Sequence, residues 1–364
     1  MNIFAKCYII TLSGFFFFGT LSCYMLEELW QLGNINYLKS FYLYIIVILC
    51  VGIVNYNTKD VSKKFKDINI SSNLLKVMFV LWIVSILLSL LIVTKDLKVP
   101  LGHMFNLYTL LFPGIAIISK RPYLGYFTLS LLILTHVISA NRVYLASGLI
   151  IFLVAKSKNK DIKIFRNMLF VSIIVMLISF LKVEDGELSF EPLEFIINIS
   201  SKLGSEWRDG IILNDVLSAQ QKDMGRLAYL QSILTVIPLH SVIGLISYQD
   251  YYPNLVSTQL LYETDLASLG YTGIRIGIIW EISVLFGYVG VVVYSLITGL
   301  ILRSCWKMNN GVDGFIISCI LLATLIYSQI GMINFIFGIY LSGLILVCIT
   351  QAVFKALITR NNGV

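Results

Sequence analysis

Four arginines, one carboxylate and one histidine are the residues from which this chain could build a reaction centre. Arg142, Arg208, Arg226 and Arg275 lie at the ends of long apolar runs or between them. A guanidinium is planar, always ionised and able to grip two phosphate oxygens at once, so these arginines suit a phosphate-bearing substrate. Glu281 follows Arg275 by six residues, about 9 Å along a helix axis. That sets a carboxylate at or below a membrane surface, where charge is costly. Either it forms an ion pair with Arg275 or Arg142, or it faces a substrate as a base or hydroxyl ligand. Arg142 has a similar choice between snorkelling to head groups and binding substrate. Trp207, Arg208 and Asp209, with Glu206 and Asp215 nearby, offer a ring face and carboxylates. This composition suits a sugar and is also ordinary in a loop, as are the tyrosines at 248, 251, 252 and 262. Of the three histidines, His103 and His136 read as core residues, and His240 is the better catalytic prospect.

These residues must be positioned by a membrane scaffold. The 364 residues are 58% hydrophobic and 13% charged, with a mean hydropathy of +0.86. A soluble domain needs about a quarter of its residues charged to solvate its surface. Apolar windows approaching the roughly 20 residues that span a bilayer fall at 4–25, 38–55, 74–94, 103–119, 122–138, 141–155, 164–182, 276–302, 313–329 and 332–355. The fold class is therefore an all-α polytopic membrane bundle of about ten transmembrane helices. The first window reads as an uncleaved helix rather than a signal peptide, because no small-x-small site follows it.

The basic residues test that count. With the N-terminus inside, the cytoplasmic gaps hold Lys59, Lys63, Lys64 and Lys66; Lys120 and Arg121; Lys156, Lys158, Lys160, Lys163 and Arg166; Arg303 and Lys307. The tail adds Lys355 and Arg360, whereas the short outside gaps hold only Lys39, Lys95, Lys98 and Arg142. Each inside gap obeys the positive-inside rule, which places both termini in the cytoplasm. It also explains the net charge of +7 without nucleic acid. The long gap 183–275 falls outside by parity, as a subdomain of one membrane domain spanning 1–364. Within it, Leu227–Ser247 is apolar but interrupted by Gln231, Pro238 and His240, which favours a re-entrant or interfacial segment over a span.

Phosphate-binding glycine loops, GxSxG and HExxH are absent from the sequence, and no DxD-like metal motif falls in a cytoplasmic domain. The six cysteines form neither CxxC pairs nor clusters with histidine. Neither a metal nor a cofactor is expected.

The layout resembles Wzy-type O-antigen polymerases, the oligosaccharide repeat-unit polymerases. The resemblance rests on the many-helix chain with a large outside loop in its second half, and on Ala140-Asn141-Arg142 opening a helix. It rests also on Gly270–Gly290, where a glycine-rich stretch leads to Glu281 and then Phe286-Gly287-Tyr288-Val289-Gly290. One feature departs: the family's Arg-x10-Gly loop pattern is met by no loop arginine. The resemblance implies a glycosyltransferase in the bacterial inner membrane that joins undecaprenyl-diphosphate-linked oligosaccharides at the periplasmic face. A flippase and a chain-length regulator would be its partners. It further implies that Arg142, Arg208 and Arg275 bind diphosphate and that Glu281 or His240 orients or deprotonates the acceptor hydroxyl. An O-antigen ligase has a similar layout and the same donor. A flippase or transporter of lipid-linked glycans is the alternative from another class, although no two-half repeat is present.

Overall fold

The computed structural model describes residues 1–30, 35–58, 72–95, 102–138, 142–157, 166–168, 170–171, 173–174, 204–224, 276–308 and 312–329. The expected span 332–355 and the segment Leu227–Ser247 lie outside them. Among the described residues there is helix and turn but no strand. The helices are α1 (Ile3–Trp30), α2 (Tyr37–Asn55), α3 (Ser72–Lys95), α4 (Gly102–Ile118) and α5 (Pro122–Ile138). Then come α6 (Arg142–Ser157), α7 (Ser205–Met224), α8 (Ile278–Met308) and α9 (Val312–Tyr327). Each apolar window up to 313–329 thus falls on a helix or, at 164–182, on described helical residues. Three stretches, Ile3–Met25, Tyr37–Asn55 and Ile278–Met308, are long and apolar enough to cross a membrane. Shorter apolar helical stretches occur in α3 to α6 and in α9. In lipid no water can satisfy backbone amides, so apolar runs of this kind close their hydrogen bonds as helices.

The chain divides into two compact units. Unit 1 comprises Met1–Lys59, Ser179–Arg303 and Thr324–Gly338, and unit 2 comprises Asp60–Ile178, Ser304–Ala323 and Ile339–Val364.

Unit 2 is organised around α4, which packs against α3, α5 and α6. Glycines allow the close approach. A methyl group at Gly114 would stand 3.3 Å from both Ile151 and Phe315, and one at Gly148 would be 2.7 Å from Leu132. Small residues serve this purpose in membrane helices, where packing rather than the hydrophobic effect draws helices together. Pro113 lies inside α4 and has no N–H to offer the carbonyl of Thr109, four residues earlier. The indole N–H of Trp82 on α3 donates to that carbonyl at 3.1 Å. Trp82 is 1% exposed and packs against Phe79 and Phe112.

Unit 1 is clamped at one end by asparagines. Asn2 donates to Asn55 Oδ1 at 2.8 Å, and Asn55 donates to the backbone oxygens of Val51 and Gly299. These bonds tie α1, α2 and α8 together. Helix α7 packs along α1, where Gly19 and Gly204 bring two backbones into contact.

Candidate functional site

Arg208, Asp209 and Glu281 are the buried charged side chains among the described residues, and all three belong to unit 1. Their positions follow from two helix starts. Helix α7 begins beside Gly204, and the Arg208 N–H donates to the Gly204 carbonyl at 2.9 Å. Trp207, Arg208 and Asp209, read from the sequence as loop residues, therefore stand in the first turns of a helix. They are buried because that end of α7 lies against α1. Trp207 donates its indole N–H to Ser40 Oγ on α2 at 2.8 Å. Its ring meets Phe16 and Trp280 edge-on, each at 5.8 Å between centroids. Arg208 places Nε and Nη2 on Asp209 Oδ1 at 3.0 and 2.8 Å. Further along α7, Asn214 accepts from Lys39 Nζ.

Helix α8 starts at the same place. The Ile278 N–H donates to the Ser328 carbonyl at 3.0 Å, and the amides of Trp280 and Glu281 both turn back to the Gly277 carbonyl. Glu281, 2% exposed, thus sits in the first turn of α8, where the positive end of the helix dipole favours a carboxylate. Its neighbour Trp280 covers Gly210 of α7 so closely that no Cβ would fit. Through this contact the Trp207–Asp209 turn and the Glu281 turn form one region.

Helix α8 does not continue evenly from there. Gly287 has φ 64° and ψ −161°, a conformation open essentially to glycine alone. The first piece, from Ile278 to Phe286, is set off from the span that follows. Irregular backbone at membrane depth is tolerated where it is buried in protein or lines a cavity.

Buried polar groups continue inward from Glu281. Tyr294 on α8 is within electrostatic range of the carboxylate, and its hydroxyl is 3.3 Å from Ser328 Oγ. Tyr8 on α1 lies close to both Tyr294 and Gln329. Tyr8 Oη, the Gln329 amide, Trp280 Nε1 and Ser283 Oγ find no hydrogen-bond partner of good geometry among the described residues, while Thr298 lies beside Tyr294. Polar side chains are costly in a lipid-embedded core.

Of the residues expected from the sequence, Trp207, Arg208, Asp209 and Glu281 come together. Arg226, His240 and Arg275 lie outside the described residues. Helix α6 does begin at Arg142, but that side chain is also outside them, so the expected ion pairs of Glu281 with Arg142 or Arg275 lie there too. Sequence reading missed Trp280, Tyr8, Tyr294 and Gln329. Their signal was a polar atom within an apolar run, masked in Trp280 by the habit of tryptophan to mark membrane surfaces. No protein-family model, curated protein or solved structure matches this chain.

Proposed function

We propose that this protein is a glycan polymerase of the bacterial inner membrane, joining oligosaccharide repeat units carried on undecaprenyl diphosphate at the periplasmic face. The observation that carries this reading is Glu281: a carboxylate buried at a helix start, beside an aromatic-lined turn that holds the buried Arg208–Asp209 pair. In the reaction, a hydroxyl of the incoming unit attacks the anomeric carbon of the donor glycan. The bond from that carbon to the diphosphate oxygen breaks, and undecaprenyl diphosphate leaves with the electron pair. Glu281 takes the hydroxyl proton, with His240 as the other candidate. Arg208, Arg226 and Arg275 meet the diphosphate charge, and preorganised cations lower the barrier most where negative charge develops. Asp209 fixes the direction of Arg208, while the buried Trp207 and Trp280 hold the two helix starts together. Tyr8, Tyr294, Ser283 and Gln329 supply polar atoms suited to hydroxyl-rich substrate.

The test is the lipopolysaccharide pattern of cells carrying single replacements. Glu281→Gln or Arg275→Ala is expected to replace the ladder of chain lengths with core bearing one repeat unit. Bare core would assign the chain to ligation, and an unchanged ladder would reject the reading. Purified protein with lipid-linked units in proteoliposomes should rebuild the ladder, which excludes pure transport.

A further inference from the structure

Unit 2 contains a second place where chemistry and shape coincide, and it is separate from the polymerase reading. A pocket of about 560 Å³ opens where α3 begins and where α4 turns into α5. Lys76, Lys120 and Arg121 line it, all three exposed, and no acidic residue does among the described residues. Its remaining wall is apolar and aromatic, including the buried Leu75 together with Phe79 and Tyr123.

The α4–α5 turn aims two of the cations. Arg121 N–H bonds the Ala116 carbonyl at 3.0 Å and Lys120 N–H bonds that of Ile117 at 3.2 Å. These are the paired bonds of a Schellman helix end. Lys120 occupies its left-handed position, with φ 59°, where glycine fits without strain. The structure thus holds a lysine, at a conformational cost, where glycine would close the turn more easily.

Below the pocket the surface is apolar. On α3 the exposed face that begins with Lys76 continues through Val80, Val84, Leu87 and Leu91. The rise from Lys76 to Leu87 is about 16 Å, close to one leaflet of a 30 Å hydrocarbon core. A cationic pocket above an apolar track one leaflet deep matches an amphiphile with an anionic head.

We propose that this pocket binds the phosphate-bearing head group of an anionic phospholipid, whose acyl chain lies along the exposed face of α3. Basic residues at membrane surfaces attract anionic head groups in general. Here three of them converge on one concave site with its own apolar wall, and this distinguishes a site from a diffuse bias.

The experiment is a titration of the purified full chain in detergent with phosphatidylglycerol, read as bound lipid by native mass spectrometry. Each charge removed is expected to weaken binding about fivefold, so Lys76→Gln with Arg121→Gln should weaken it about 25-fold. Arg166→Gln removes an exposed charge of unit 2 that does not line the pocket, and it should leave binding unchanged. Lys120→Gly should weaken binding about fivefold while raising the melting temperature, so misfolding cannot account for the loss. Phosphatidylcholine should bind weakly and equally to all variants. The proposal is overturned if Arg166→Gln costs as much as a pocket charge, or if the double variant binds like the parent. It is also overturned if excess inorganic phosphate displaces the lipid, which would mark a free-anion site.

Discussion

The two units meet the same problem, polar groups in a greasy interior, but only unit 1 also buries charged side chains among the described residues. In unit 2 half of the buried polar residues among those described are closed locally. Ser85, Thr128 and Thr135 donate to carbonyls four residues back on their own helices, and Trp82 takes up the carbonyl that Pro113 releases. Unit 1 also buries an arginine and two carboxylates, together with tyrosine and glutamine side chains, Tyr8 and Gln329, whose polar atoms meet no hydrogen-bond partner of good geometry among the described residues. Buried polarity without local closure is expensive and persists where a substrate or a reaction needs it. On the proposed reading, the buried charged groups Arg208, Asp209 and Glu281 that would serve the reaction belong to unit 1.

The sharpest way to break this contrast is at Glu281. Glu281→Gln keeps the shape and removes the proposed base, so polymer formation should fall at least about 100-fold at normal protein levels, measured as ladder intensity against immunoblot. A ladder retained in that variant would reduce unit 1 to scaffold. Asp209→Asn should come next. It takes a charge from a buried pair whose side chains are only 11% and 5% exposed, at a cost of about 3 kcal/mol in unfolding of the purified protein. Gly287→Ala imposes a side chain on a glycine-only conformation, for about 1–3 kcal/mol. It should also lower turnover, because the piece of α8 bearing Glu281 shifts. In unit 2, Trp82→Phe should cost about 1 kcal/mol and leave the ladder intact. A loss of activity there would show that the division of labour is wrong.

Much of the scaffold is legible from residue types. Apolar windows mark the helices, because a bilayer offers the backbone no other partner. Lys120-Arg121-Pro122 marks a turn, and the structure places one there. Glu281 is legible for the same reason, being a charge at membrane depth. Other features are not readable along the chain. Trp207, Arg208 and Asp209 look like surface loop composition, and only the packing of α7 on α1 buries them. Pro113 announces a released carbonyl at Thr109, yet nothing local names Trp82 as its donor. Gly287 stands in a recognisable aromatic-Gly-x-x-Gly step, but its backbone angles are what make it a break.

The sequence by itself determined that this is a helical membrane protein, and it singled out Glu281 and the arginines as costly residues needing a reason. Both follow from transfer energies, which each residue carries regardless of its neighbours. Tertiary structure decided that the starts of α7 and α8 meet at Trp280, that Arg208 leans on Asp209, and that Tyr8 and Gln329 reach the same interior. These depend on which helices touch, and contacts between residues far apart in the chain are absent from any local pattern.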